Sequence, residues 1–227
     1  MIVLVHSGIC DARMWDGFDL PGAVRHELRG CGQTPMPPAG EFSHAEDLVA
    51  ALGEPAALVG ASFGGAVCLE VASRRPDLVT ALVLLDAPLW DHDWAEEVVA
   101  FDRQEEELLE QGELYAAAVL NADFWLEDAS QRDRVIEMQE NAFRLQSESE
   151  ADQGQTESID LGAVRARTLV VVGELDKADF HRIGDRLARD IPDARHAVIP
   201  GAGHLPALER PDETSRLIRE FLQEQRI

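Results

Sequence analysis

Short apolar runs alternate with longer segments of helical periodicity, and this alternation constrains the fold more than any other feature of the chain. Residues 2–5, 56–61, 80–85 and 168–172 are apolar runs of four to six residues, too short for helices. Turn residues bound them, as His6-Ser7-Gly8 bounds the first, so they read as buried strands. Residues 23–28 and 197–199 are weaker strand candidates. Ser43 and Glu46 have the spacing of a capping box, predicting a helix that runs to about Leu52. Further helices are expected over 64–75, stopped by Pro76, over 180–189, and over 211–225, where Leu217, Ile218, Phe221 and Leu222 share one side. The Pro- and Gly-rich residues 33–40 read as a loop. Strands alternating with helices predict an α/β fold, a mostly parallel sheet flanked by helices on both faces.

One stretch breaks the pattern. Residues 89–158 contain no strand signal and are too long for a single crossover. They are expected to form an inserted helical lid, dividing the core into a first part, 1–88, and a second part, 159–227. The lid holds Trp90, Trp94, Phe101, Tyr115, Phe124, Trp125 and Phe143. At helical spacing most of these read as packing residues. Trp90 and Trp94, nearest the junction with the sheet, are the candidates for a substrate pocket. The acidic run Glu105-Glu106-Glu107 reads as a solvated helix face.

Charge and cysteine usage narrow the partners. Forty-three acidic against 20 basic residues give a net charge of −23. Such a body repels nucleic-acid backbones and anionic membranes, leaving a neutral or modestly charged small molecule as the expected partner. Cys10, Cys31 and Cys68 lie far apart without a C-x-x-C spacing, so neither a disulfide framework nor a thiolate metal site is expected. A reducing cytoplasm fits best. The apolar N-terminus is short and lacks a basic flank, so it does not read as a signal peptide, and no apolar run is long enough to span a membrane. Asp91-His92-Asp93 is too compact for a metal site and no dinucleotide fingerprint occurs, so no metal or organic cofactor is expected. The sequence does not address the oligomeric state.

The chemistry centres on Gly60-Ala61-Ser62-Phe63-Gly64, a G-x-S-x-G between a predicted strand and a predicted helix. A serine on so tight a turn projects above the sheet, while the flanking glycines let strand and helix approach and the helix N-terminus faces any developing oxyanion. Such a serine needs a base. His204, in the loop Gly201-Ala202-Gly203-His204, is free of secondary structure and can point into a cleft. His6 reads as a support for its own loop. His26, His44, His181 and His196 fall in predicted elements, and His92 lies at the lid entrance. The base in turn needs an acid. Asp176, after the strand 168–172, is favoured by chain order; Asp86, after the strand 80–85, is its rival, and Glu174 a weaker one.

Together these pieces resemble the α/β-hydrolases of the serine esterase type. His6-Ser7-Gly8 with Trp15 downstream resembles the family's oxyanion loop. Glu27-Leu28-Arg29-Gly30-Cys31-Gly32-Gln33-Thr34 resembles its D-x-R-G-x-G-x-S turn, Gly60 to Gly64 its nucleophile elbow, Gly173 to Asp176 its acid loop and Gly201 to His204 its histidine loop. The resemblance implies a triad of Ser62, His204 and Asp176, with oxyanion donors from the amides of Gly8 and Phe63. It also implies a serine hydrolase acting on a carboxylic ester or related acyl compound. The chain departs from the family in Ser7, where a glycine is usual, and Glu27, where an aspartate is usual. It also lacks the N-terminal strand pair, so a fold shortened at that edge is expected. A ligand-binding protein on the same fold is the alternative from another class. Lactonase, thioesterase, carbon–carbon hydrolase and lyase variants stay open within the enzyme class.

Overall fold

The computed structural model describes residues 1–153 and 159–224. Its strands are β1 (Ile2–Val5), β2 (Ala23–His26), β3 (Ala39–Phe42), β4 (Ala56–Ala61), β5 (Val79–Leu85), β6 (Glu150–Gln153), β7 (Arg167–Gly173) and β8 (Ala194–Ile199). Its α-helices are α1 (His44–Ala51), α2 (Phe63–Arg74), α3 (Glu96–Glu110), α4 (Leu114–Trp125), α5 (Arg132–Ser147), α6 (Ala178–Asp190), α7 (Pro206–Glu209) and α8 (Pro211–Gln223). Six strands form one sheet in the order β2-β1-β4-β5-β7-β8, every neighbouring pair parallel.

The pleat distributes the apolar side chains between two cores. Leu58, Leu82 and Leu84 pack on one face with Leu48 of α1, Leu69 of α2 and Ile183 and Leu187 of α6. Val59, Val83 and Leu85 point the other way, onto Met14, Trp15, Ile218 and Phe221. All six residues of β4 are buried, as a strand covered on both faces must be. The central strands therefore carry no polar alternation. Among the described residues no helix is long and apolar enough to cross a membrane.

Element boundaries differ from the sequence expectation where backbone pairing, rather than hydrophobicity, defines the strand. Strand β8 begins three residues early because Ala194, Arg195 and His196 pair with β7 while keeping polar side chains at the sheet edge. Strand β2 stops at His26, and the Leu28 amide donates instead to His6 Nε2 at 3.0 Å. Two expectations are overturned. The stretch 89–158 does contain a strand, β6, and the loop expected over 33–40 gives its last two residues to β3. These strands pair in parallel as a separate ribbon. Their sequences, Ala-Gly-Glu-Phe and Glu-Ala-Asp-Gln, are exposed or half-buried throughout, so no apolar pattern marks them. Backbone pairing holds the ribbon, joined by the Ser149 hydroxyl donating to Pro37 O. The expected lid boundary at Ser158 and the final residue expected in the C-terminal helix, 225, lie outside the described residues.

The Ser43 half of the capping box is formed, with Ser43 Oγ accepting from the Glu46 amide at 3.3 Å. The next residue, His44, is buried edge-on between Phe42 and Phe63, at centroid distances of 5.0 and 5.3 Å, and its Nδ1 has no partner. Burial lowers its pKa to about 4, and burial also lowers those of His6 and His26. Below about pH 6.5 the unfolded chain takes up protons that the folded chain refuses, so stability falls as pH drops from there toward 4. The thermal midpoint should therefore decline between pH 7 and pH 5. His44→Phe, which keeps the ring packing but cannot be protonated, should flatten that decline. An unchanged slope in the variant would remove His44 from the account.

Candidate active site

The turn at Ser62 is the tightest in the sheet. Strand β4 ends at Ala61 and α2 begins at Phe63, leaving one residue to reverse direction. Ser62 takes φ 50° and ψ −121°, a strained conformation for a residue with a side chain. The neighbours impose it. A Cβ on Gly60 would lie 2.4 Å from Gly64 O, and one on Gly64 would lie 2.3 Å from His6 O. The Ser62 amide donates to Leu85 O at 2.7 Å, tying the turn to β5.

His204 stands over this serine. Its Nε2 lies 2.8 Å from Ser62 Oγ and its Nδ1 lies 2.8 Å from Asp176 Oδ2. With the Nδ1 proton donated to the carboxylate, Nε2 is left as the acceptor facing the hydroxyl. The His204 loop is fixed from below by the buried Glu209, which accepts from the Gly203 amide at 2.7 Å and from the Glu127 amide at 3.4 Å. Glu174, the weaker rival for the acid, instead accepts from the Gly201 amide at 2.8 Å and steadies the same loop. Trp125 and Phe180 flank the imidazole at 4.5 and 4.3 Å between ring centroids.

Both candidate aspartates lie at this site, in different roles. Asp176 touches His204, and its other oxygen accepts from the Lys177 amide at 2.7 Å. Asp86, also at positive φ, sits behind it and accepts from the Gly173 amide at 3.0 Å. One atom from each of Asp86, Asp176 and His204 falls within a mutual 4.8 Å. Burial pushes the Asp86 carboxyl well above the usual range, and the Asp176 charge pushes it further. Burial would also raise Asp176, but the His204 imidazole and the hydrogen bonds from His204 and Asp86 hold it below that range. Asp86 is thus held toward its protonated form beside an Asp176 held toward its ionised form, and its second oxygen, Oδ2, is buried without a hydrogen-bond partner. The three groups could approach a metal, yet both His204 nitrogens are already engaged by Asp176 and Ser62.

His6 does what its loop position suggests. Its Nε2 accepts from Leu28 and its Nδ1 donates to Ser7 O at 2.8 Å, pinning the turn that carries Gly8. Gly8 packs against Phe63, with its Cβ position 3.3 Å from Phe63 Cβ. Glu27, the departure from the family turn, accepts from the Ala12 amide at 2.9 Å and the Gln33 amide at 3.1 Å, joining two loops. The Ser7 hydroxyl is buried without a partner.

A cavity of about 520 Å³ opens over Ser62 and His204, with Gly8 and Phe63 on its wall. Trp90 and Trp94 both line it; Trp90 is half exposed, while Trp94 is packed on Phe180 at 5.5 Å. His92 does not line it. It holds Asp179 at 2.8 Å and packs edge-on against Trp94 at 5.0 Å, so it positions that ring. Two expectations for the insertion need correction. Phe101, Trp125 and Phe143 are cavity walls as well as packing residues. Glu106 and Glu107 are solvated, but Glu105 turns inward and takes a hydrogen bond from Asn121. The signal was present: Val98, Phe101, Asp102 and Glu105 recur at helical spacing on one stripe of α3. Phe180, four residues after Asp176, was reachable in the same way. Nothing local marks Trp125, which only the α4 packing brings to His204.

The chain matches the alpha/beta hydrolase family over residues 2–217 and belongs to it. It is 26% identical over 226 residues to 2-hydroxymuconate semialdehyde hydrolase from Pseudomonas putida, covering 88% of this chain and 76% of that protein. A segment of 95 residues is 35% identical to lipase LipV of Mycobacterium tuberculosis, spanning 37% of this chain and 36% of that protein. A thermophilic esterase from Thermogutta terrifontis superposes with a TM-score of 0.76 at 25% identity, over 98% of this chain and 89% of that one.

The two aspartates make opposite predictions. The folded chain binds the Asp86 proton more tightly than the unfolded chain, so its burial weighs increasingly against the fold as pH rises above about 4, where the unfolded carboxyl ionises. Asp86→Asn preserves an acceptor for Gly173 and a donor for Asp176, and asparagine tolerates positive φ. Denaturant unfolding at pH 5 and pH 8 should show the variant gaining on the wild type at the higher pH. A constant difference at both values would contradict the upward shift of the Asp86 carboxyl.

Proposed function

We propose that this hydrolase cleaves small carboxylic esters or related acyl compounds through Ser62, His204 and Asp176. The observation that carries the reading is the unbroken hydrogen-bonded line from Asp176 through His204 to Ser62, 2.8 Å at each step, with Ser62 and His204 lining a cavity rich in aromatic rings. Ser62 Oγ attacks the acyl carbon as His204 Nε2 takes its proton. Asp176 stabilises the resulting imidazolium. The amides of Gly8 and Phe63, with the N-terminus of α2 behind them, hold the oxyanion. The tetrahedral intermediate collapses, the leaving alcohol takes the proton from His204, and water repeats the sequence on the acyl-enzyme. A lactone is a cyclic ester and opens by the same steps.

In this reading the insertion, residues 89–158, is a lid that shapes the pocket and shields the acyl-enzyme from water. Trp90 and Trp94 contact substrate. The reaction uses no metal or organic cofactor, and the partner is a small molecule. The three cysteines are unpaired and buried, which supports placement in a reducing cytoplasm.

A fluorophosphonate should label Ser62 alone. Ser62→Ala should lower turnover by about 10⁴- to 10⁶-fold. Asp176→Asn should lower it by about 10⁴-fold, whereas Asp86→Asn should be much milder. An adduct on another serine, or the reverse ranking of the aspartates, would sink the assignment. Trp90→Ala and Trp94→Ala should each shift the preferred acyl length and raise KM while labelling persists. If both keep the wild-type ester profile, these rings serve packing only.

A further inference from the structure

The far wall of the cavity differs from the aromatic surroundings of His204. Three helices of the insertion each turn a polar residue into it: Glu105 from α3, Asn121 from α4 and Gln139 from α5. Asn121 and Gln139 are only 1% and 5% exposed. The Asn121 amide N–H₂ group is spent within the protein, on Glu105 Oε1 and on Ala117 O at 3.0 Å. The amide oxygen of Gln139 is buried with no partner at all. A buried acceptor left unpaired costs about 1–3 kcal/mol, and such groups in a ligand cavity are the points at which a ligand is held. Asp102, one turn before Glu105, adds a second carboxyl at the rim. No lysine or arginine lines the cavity among the described residues; its basic group is His204.

We infer that this wall is a recognition subsite for a hydrogen-bond-donating group, an ammonium or a hydroxyl, on the part of the substrate that reaches the insertion. The inference rests on the hydrolase reading above and adds the class of substrate. A plain alkyl chain leaves the Gln139 oxygen unpaired. A carboxylate meets two carboxyls and no cation. A donor satisfies Gln139 and Glu105 together, and an ammonium also complements the carboxyls of Glu105 and Asp102. The same logic explains why three helices that otherwise present Val98, Phe101, Trp125 and Phe143 to the cavity interrupt that surface with polar residues.

Phenylboronic acids test this, since boron is captured by an activated serine. Protection of Ser62 from fluorophosphonate labelling is measured with plain phenylboronic acid and with its meta- and para-aminomethyl, hydroxymethyl and carboxy derivatives. The better aminomethyl isomer should bind at least about tenfold tighter than the plain compound and the carboxy compounds weaker than it, with hydroxymethyl between aminomethyl and plain; each tenfold step is about 1.4 kcal/mol. Gln139→Leu and Glu105→Gln should each shrink the aminomethyl-to-carboxy ratio by about tenfold or more while leaving protection by the plain compound within about threefold. Should Gln139→Leu fail to fold, the half-exposed Glu105→Gln decides alone. If the plain compound protects but the derivatives rank equally, or carboxy ranks first, the subsite is overturned and the hydrolase reading stands. If neither the plain compound protects nor the fluorophosphonate labels Ser62, both fall.

Discussion

The site depends on a backbone that would not choose its own conformation. Ser62 holds a strained turn because Gly60 and Gly64 allow no other close approach of β4, α2 and the His6 carbonyl, and because its amide is fastened to β5. The strain is sustained by the sheet, whose central strands are buried on both faces. Relaxing that turn would carry Oγ away from His204 and move the Phe63 amide with it. The placement of the Ser62 hydroxyl, the placement of the Phe63 amide and core packing are therefore one constraint read at three places.

A second layer sits beneath the first. Asp176 meets His204 at 2.8 Å, Asp86 lies close behind Asp176, and the Gly173 amide donates to Asp86. Burial and the Asp176 charge push the Asp86 carboxyl toward its protonated form, which opposes a second full charge beside Asp176. On the opposite side, Glu209 and Glu174 bind backbone amides of the histidine loop. Carboxyls thus do most of the positioning here, which accounts for part of an otherwise excessive acidity.

The central sheet was legible in the sequence because buried parallel strands are written as continuous apolar runs: residues 56–61, 80–85 and 168–172 fall within a residue of their observed bounds. The elbow and the two loops after β7 and β8 were legible because tight turns demand particular residues. The β3–β6 ribbon was not, since exposed polar strands carry no periodicity. The raised carboxyl of Asp86 was hidden for a different reason: it follows from burial and from the proximity of Asp176, ninety residues along the chain, which no local pattern encodes. Glu105 shows the cost of reading composition before spacing. Its acidic neighbours suggested a solvated face, while its position on the stripe of Val98 and Phe101 pointed inward.

The ribbon also has a kinetic meaning. Its two strands meet across a long separation, 112 residues between Ser149 and Pro37, and bury little apolar surface when they do. Contacts so distant in sequence and so weakly rewarded close late in folding, after the sheet has assembled, and open first under native conditions. Amide hydrogens in residues 39–42 and 150–153 should therefore exchange earlier than those of the central sheet strands.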